Sequence, residues 1–296
     1  MKRPTAISVV MRSKDEAWAL EGTLASLFKQ NFNGEIELIV IDSGSTDGSV
    51  EIIESYNPQR FVQIQPHEYV PGIVLNRGMR EASHDYVVFL NADATPANDC
   101  WLVELLDVAL GTPNWGTVFS RQIPRDDCQA VFAHDYDRCF GPNRESVNWD
   151  HFFSMVSCVV NRSVWEAQPF REDLQYAEDD EWSRRLKASG YAVAFAPKSV
   201  AIHSHNYTIK QAYKRAFGDS KAMAATSTVE PRAVNLHYTV ALGTVRDFQR
   251  DLKWCKQQRK LTEAPHCFVV RLAQRLGKWK GFHAGWTHYH GAKVDV

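Results

Sequence analysis

An α/β fold is what the sequence predicts: a mostly parallel sheet with helices on both faces, followed by a helical C-terminal extension. Three observations support it. Short continuous apolar runs of the kind a buried parallel strand needs recur at 6–11, 37–41 and 86–90. Helical spacing fills the gaps between them, which gives a βαβαβ rhythm over the first hundred residues. Past His205 the patterning turns almost entirely helical, so a division into 1–205 and 206–296 is expected, although no Gly/Ser linker marks it.

Taken in order, Ala6-Ile7-Ser8-Val9-Val10-Met11 is a strand, and residues 16–30 form an amphipathic helix with Trp18, Leu20, Leu24, Leu27 and Phe28 on its apolar side. The run Glu37-Leu38-Ile39-Val40-Ile41 ends at Asp42, which opens the loop Asp42-Ser43-Gly44-Ser45-Thr46-Asp47-Gly48 ahead of a helix to about Tyr56. A short strand at 61–65, a helix at 72–83 and the strand Tyr86-Val87-Val88-Phe89-Leu90 follow. Next come a helix at 98–110, a strand at 116–119 and a polar segment, 121–149, expected to be a long ordered loop. Strands at 155–160, 191–196 and 199–202 flank a helix at 178–189 that Gly190 ends. Helices are expected at 208–223, 233–260 and 266–280.

Composition narrows the function classes. The chain has 296 residues, of which 44% are hydrophobic and 23% charged, as in ordinary globular proteins with a substantial core. Its 34 Lys+Arg against 35 Asp+Glu leave a formal charge of −1, so no global basic field attracts nucleic acid. The six cysteines are scattered without CxxC spacing, which argues for free thiols in a reducing compartment and against a zinc site. The N-terminus runs into the first strand without the apolar core of a signal peptide, and no apolar run approaches a membrane span. The sequons at Asn161 and Asn206 therefore read as chance matches, and the expected address is cytoplasmic.

Polar clusters fall at the ends of strands, where open α/β sheets bind ligands. They are Arg12-Ser13-Lys14-Asp15-Glu16, the Asp42 loop, Asn91-Ala92-Asp93-Ala94-Thr95-Pro96 and His203-Ser204-His205, with Glu178-Asp179-Asp180-Glu181-Trp182 opening a helix. An Asp after a strand is more often a cap or turn residue than a ligand, and the Asp42 loop alone is equally well a capping turn. Five such clusters at one edge of one sheet are a different matter. Carboxylates and imidazoles placed there suit a divalent cation that also binds diphosphate oxygens. No G-x-G-x-x-G follows the first strand, a Walker A loop is absent, and Gly44 and Thr46 stand where an EF-hand needs carboxylates.

In this order the motifs resemble a family 2 glycosyltransferase of the GT-A type, with its Rossmann-like sheet. The series is Val9 to Glu16, Val40 to Asp47, Leu75-Asn76-Arg77-Gly78, Phe89 to Pro96 and Ala177 to Trp182, and the likeness covers about Ile7 to His205. The Arg-Ser-Lys near the start and Asp-Ala-Thr-Pro after the fourth strand are similar to the bacterial rhamnosyltransferase-like subgroup.

The resemblance implies a metal-dependent, inverting transfer of a hexosyl or deoxyhexosyl group from a nucleotide-diphosphate sugar to a hydroxyl of a glycan or lipid-linked acceptor, in surface polysaccharide synthesis. It makes Asp42 the reader of the donor base, with Arg12, Ser13, Lys14 and Glu16 lining that pocket. It adds Asn76, Arg77, Asn91, Ala92 and Asp93 to the donor site. Asp93 with His203 or His205 would hold Mg²⁺ or Mn²⁺, and Asp179 would be the catalytic base. Glu178, Asp180 and Trp182 would form the acceptor side. Arg77 and Lys14 are candidates to stabilise the leaving diphosphate.

Two positions depart from the family pattern: Asn91 replaces the first Asp of DxD, and Ile73 stands where relatives often carry a polar or basic residue. A retaining transferase and a non-catalytic sugar-nucleotide-binding scaffold are the rival readings. In the last helix Val269, Leu272, Ala273 and Leu276 share one face, while Arg271, Arg275 and Lys278 share another. That pattern suits a packed helix with a solvated basic face, an interfacial helix giving peripheral contact with the inner face of an anionic membrane, or an oligomer interface.

Overall fold

A computed structural model describes residues 2–149 and 151–291. The chain divides into two compact units. The first comprises Met1–Ile123, Cys139–Asp173 and Glu178–His203, and the second Pro124–Arg138, Leu174–Ala177 and Ser204–Val296.

The first unit holds β1 (Ala6–Ser13), α1 (Ala17–Leu27), β2 (Glu35–Asp42), α2 (Ser49–Ser55), β3 (Arg60–Gln63), α3 (Pro71–Glu81), β4 (Tyr86–Leu90), β5 (Thr95–Pro96), α4 (Trp101–Gly111) and β6 (Trp115–Ile123). After α5 (Ala130–Phe140), most of which belongs to the second unit, come β7 (Ser157–Asn161), α6 (Arg162–Ala167), α7 (Glu178–Ala188) and β8 (Ala192–Ile202). The sheet runs β3-β2-β1-β4-β7-β6-β8-β5. Four of its seven ladders are parallel and three, all involving β7 or β5, are antiparallel, so parallel pairing prevails by a narrow margin. The apolar runs of β1, β2 and β4 are buried on both faces, as parallel strands between helix layers must be.

Three expectations are corrected here. The strands expected at 191–196 and 199–202 are one strand, β8, with a register shift where Ser120 faces Ala196 and Arg121 faces Val200. Pro197 sits in that gap, and a residue without an N–H cannot continue the ladder. On α1, Leu20, Leu24 and Leu27 are buried, whereas Trp18 is 60% exposed and Phe28 stacks on Tyr56 at the surface. The polar segment 121–149 is no loop: β6 continues to Ile123, α5 fills Ala130–Phe140 and a 3₁₀ turn spans Glu145–Asn148. Its polarity misled because the polar side chains of α5 pair inside the second unit.

The second unit contains most of α5, then α8 (Ile209–Met223), α9 (Gly243–Gln257) and α10 (Ala264–His290). A π-helical turn at His237–Leu242 leads directly into α9. The face of α10 read as solvated and basic points inward in part. Arg271 is buried, donates from Nε and Nη2 to Asp251 (2.7 and 2.8 Å), and from Nη1 and Nη2 to Asp135 (2.8 and 2.9 Å). Arg275 donates to Asp247 (2.7 Å), and only Lys278 of the three is exposed.

Helices α8 and α10 meet along Gly277, Gly281 and Gly285, whose missing side chains admit the carbonyl oxygens of Tyr213, Phe217 and Lys221. Both sets recur every four residues, so each turn of one helix nests against a turn of the other. A Cβ at Gly281 would overlap the Phe217 carbonyl, and backbone cannot rotate away. Gly281→Ala is therefore expected to destabilise by about 1–3 kcal/mol, read as a lower melting temperature. Gly22→Ala in α1, where a Cβ meets nothing within 4 Å, is expected to stabilise slightly.

Candidate functional site

Register brings the polar strand ends together. Ser13 faces Asp42 across the β1–β2 ladder, Ser43 N–H donates to the Ser13 carbonyl (3.0 Å), and Ala92 N–H donates to the Arg12 carbonyl (3.2 Å). The carboxyl ends of β2, β1 and β4 thus form one ledge, as an open parallel sheet provides.

The loop after β2 is built by its own acid. Asp42 is fully buried and its Oδ1 accepts from the N–H groups of Gly44 (2.9 Å) and Ser45 (2.8 Å), while Oδ2 accepts from the Ser45 hydroxyl. Gly44 and Gly48 take φ of 80° and 94°, values that side chains disfavour. The loop is latched to the one after β1: Asp15 accepts from Thr46 N–H (2.8 Å), Ser45 Oγ accepts from Asp15 N–H (2.8 Å), and Asp47 accepts from Ala17 N–H (2.9 Å).

Above this ledge lies a cavity of about 320 Å³. Six residues singled out from the sequence line it: Arg12, Ser13, Lys14, Glu16, Asn91 and Asp93. Ser43, Pro66 and Tyr69 line it as well and were not foreseen. The hydroxyls of Ser13 and Ser43 are buried there with no hydrogen-bond partner among the described residues. Tyr69 could have been suspected as an aromatic just ahead of a helix-starting Pro71; Ser43 lay in view within the loop motif.

Four other candidates do not line the cavity. Asp42 serves its loop, Ala92 contributes a buried backbone, and Arg77 is exposed on α3. Asn76 is buried with its amide saturated: Oδ1 accepts from Trp165 Nε1 (2.9 Å) and Phe170 N–H (3.0 Å), and Nδ2 donates to the Phe170 carbonyl (2.9 Å) and Glu172 (2.8 Å). It staples α3 to the segment after α6. Gly72, packed against the Arg171 backbone, permits the same close approach.

Arg12 connects the cavity to α7. Its guanidinium donates to Asn91 Oδ1 (3.1 Å) and Tyr69 Oη (3.4 Å), and Nη1 lies 3.6 Å from Glu178 Oε1 in the first turn of that helix. Burial works against its charge, but Tyr69, Glu178 and Asp179 outweigh it, so Arg12 holds its proton more tightly than a free arginine.

Asp179 is the next residue of α7. One oxygen accepts from Asp180 N–H (2.8 Å) and the other from Met155 N–H (3.4 Å). Burial, with a smaller push from Asp180, raises its carboxyl above the usual carboxylate range against the opposing pull of those N–H groups and Arg12. Asp180 pairs with Arg184 (2.8 Å), and Trp182 is fully buried, donating to the Gln168 carbonyl (2.7 Å) and packing on Phe170 at 4.5 Å. So Trp182 supports α7 from beneath. His151, which no motif singles out, is buried beside the same turn with Nε2 at 2.7 Å from Ser183 Oγ.

Asp93 and His203 are both buried, with His203 Nε2 3.4 Å from Asp93 Oδ2. Gln122 donates its amide N–H to Ser154 Oγ (2.8 Å), which turns its Oε1 toward His203 Nδ1 (2.9 Å). Nδ1 is thus the ring atom that donates, and a neutral ring would leave the Nε2 lone pair facing the carboxylate. Two buried acceptor atoms so arranged fit a shared cation, with Gln122 as the partner that orients the imidazole. His205 is half-buried at the start of the second unit.

Comparison with known proteins bears on this geometry. The description Glycosyl transferase family 2 matches residues 8–166, more than half of the chain. The chain belongs to glycosyl transferase family 2. The matched stretch contains the whole ledge and ends before α7, so Asp179 lies beyond it. Among relatives, the O-antigen chain rhamnosyltransferase WbaN of Salmonella anatum is 31% identical over 201 residues, 64% of this chain and 63% of the relative. RfbN of Salmonella typhimurium, also an O-antigen chain rhamnosyltransferase, is 28% identical over 194 residues, 61% of each chain. The chain thus spans somewhat over 60% of the length of these two relatives.

The same family fold recurs in solved structures. A Pyrobaculum calidifontis mannosyltransferase in complex with GDP-Man and Mn²⁺ superposes with a TM-score of 0.59 at 22% identity, covering 90% of this chain and 74% of that one. Glucosyl-3-phosphoglycerate synthase from Mycobacterium tuberculosis, in complex with Mn²⁺, UDP and phosphoglyceric acid, gives 0.53 at 20% identity over 74% and 76%. The GT-A-type α/β architecture is shown by this agreement.

Proposed function

We propose that this family 2 member transfers a hexosyl or deoxyhexosyl group, with inversion and with the help of Mg²⁺ or Mn²⁺, from a nucleoside-diphosphate sugar to a hydroxyl of a glycan or lipid-linked acceptor in bacterial surface polysaccharide synthesis. The observation that carries the proposal is Arg12, which ties a cavity sized for a small ligand to the helix turn bearing Asp179, a half-buried carboxyl held above the usual carboxylate range.

In this reading the nucleoside lies on the ledge against Tyr69, Ser13 and Ser43, and Lys14 and Arg12 face the diphosphate. Lys14 is preferred to Arg77 for the leaving group because it lines the cavity. Asp42 acts by holding the loop shape that presents Ser43 and the backbone to the base. Asp93 and His203 would hold the cation. His205 is proposed as a further ligand, since two residues of chain span at most roughly 7 Å. When bound, the cation would neutralise charge that builds on the departing diphosphate.

Asp179 would take the proton of the acceptor hydroxyl as the new C–O bond forms, because an alcohol is a poor nucleophile at neutral pH. Glu178 and Asp180 would shape the acceptor side from the same turn. Asn91 accepts from Arg12, a part a carboxamide plays well, which supports reading the missing acid of DxD as compatible with catalysis. The relatives named as rhamnosyltransferases and the metal-bearing neighbours support the donor class. Incubation with a panel of nucleotide sugars and glycan acceptors, followed by proton NMR of the first-formed product, is expected to show an inverted anomeric centre. Retention would overturn the role of Asp179.

A further inference from the structure

The outward face of α9 and the turn before it has no part in the chemistry above. Tyr238, Leu242, Val245 and Leu252 follow one another at spacings of four, three and seven residues, so they form one strip along a continuous helical run. They are 66%, 48%, 48% and 41% exposed. Phe268 of α10, 40% exposed and edge-on to Phe248 of α9 at 5.3 Å, widens the strip within the same unit.

The charges on α9 are sorted. Its two acids, Asp247 and Asp251, are buried and taken by Arg275 and Arg271. Its outward charges, on Arg246, Arg250, Lys253 and Lys256, are all positive and exposed, with one long contact from Arg246 to Asp247 at 3.9 Å. No described helix is long and apolar enough to cross a membrane.

We propose that this face lies on the surface of an anionic lipid bilayer, the apolar strip entering the headgroup boundary and the flanking cations meeting lipid phosphates. The run is roughly 30 Å long, and an apolar stripe beside cations along a helix is what binding in the plane of such an interface requires. A nucleic acid would engage the cations and leave the apolar side chains in water. A protein partner would have to match a strip whose whole flank is cationic, which a phosphate-bearing plane does without further design. The site is on α9 and not on the basic face of α10, whose arginines are consumed internally. It is independent of the transferase reading.

The test is co-sedimentation of the full chain with phosphatidylcholine vesicles and with vesicles that also contain phosphatidylglycerol. Wild type is expected to favour the anionic vesicles by roughly tenfold or more, less so at high salt. Leu242→Gln with Leu252→Gln, and separately Lys253→Glu with Lys256→Glu, are each expected to remove most of that preference at unchanged melting temperature. Lys29→Glu, on the surface of the first unit, is expected to keep it. Equal partition onto both vesicles, no binding by wild type, or full binding by both double variants would overturn the proposal. So would a dimer in lipid-free solution that the Leu242→Gln, Leu252→Gln variant dissociates, which would assign the face to a second copy of the chain.

Discussion

Asp179→Asn is expected to lower sugar transfer by about 10²–10⁴-fold, the usual worth of a positioned general base, and to leave nucleoside-diphosphate affinity within about twofold of wild type. The separation follows from the geometry. Asp179 does not line the cavity; Arg12, Ser13, Lys14 and Asn91 do, and they stay in place. An amide oxygen can still accept from Asp180 N–H, so the turn should hold its shape. The pH dependence has a definite sign. A base works only when deprotonated, and burial has raised this carboxyl, so wild-type transfer should climb with pH through a midpoint above the ordinary carboxylate range. For stability the sign is opposite: a group that binds its proton more tightly when folded loses stabilisation as pH rises through that midpoint. Asp179→Asn should therefore fold at least as well as wild type near neutral pH. Loss of donor binding together with transfer would show that Asp179 holds the site and does not act as its base.

Arg271→Met is expected to destabilise the second unit by about 3–5 kcal/mol, the cost of leaving a buried carboxylate without its cation. Arg271 joins three helices of that unit, binding Asp251 on α9 and Asp135 on α5 from α10. His134 Nδ1 lies 2.7 Å from the same Asp251, so removing the guanidinium leaves the acid one hydrogen-bonding side chain among the described residues. Burial alone would push the Asp251 carboxyl up, but Arg271 and then His134 outweigh it and hold it below the usual value. Its stabilisation is thus present above the unfolded carboxylate range and lost as pH falls through the depressed folded value. Acid unfolding followed by circular dichroism should shift to higher pH in Arg271→Met. Pairing it with Asp251→Leu, which removes the stranded charge, should recover part of the loss.

Much of the first unit was legible because its signals are local. Apolar runs at β1, β2 and β4 stand between polar turns, and each ends in a residue whose place on the ledge follows from strand direction. Asp93, just past β4, could be placed at the ledge for that reason, whereas Asp179 opens α7 and was singled out through the family resemblance. What was hidden depends on partners far along the chain. The acid at Asp42 looks the same whether it reads a base or folds its own loop, and only the three hydrogen bonds it accepts show the second task. Asn76 likewise hides its bonds to residues some ninety positions away. In the second unit, Asp135 and Arg271 each look solvent-facing, yet they pair with one another, Arg271 buried and Asp135 half-buried, so an expected loop is α5 and part of an expected basic surface is an internal contact. The Gly277, Gly281, Gly285 spacing was readable but carries meaning only once α8 lies alongside.

Every role proposed above requires a metal-assisted nucleotide-sugar site on the ledge of β2, β1 and β4. Calorimetric titration of UDP, GDP and dTDP into the full chain, with and without Mn²⁺, tests it most directly. One of the three is expected to bind at least about tenfold more tightly with Mn²⁺ than with chelator, and Asp93→Asn should abolish that difference. Binding of none of them under either condition, in a protein that remains folded, would rule that site out.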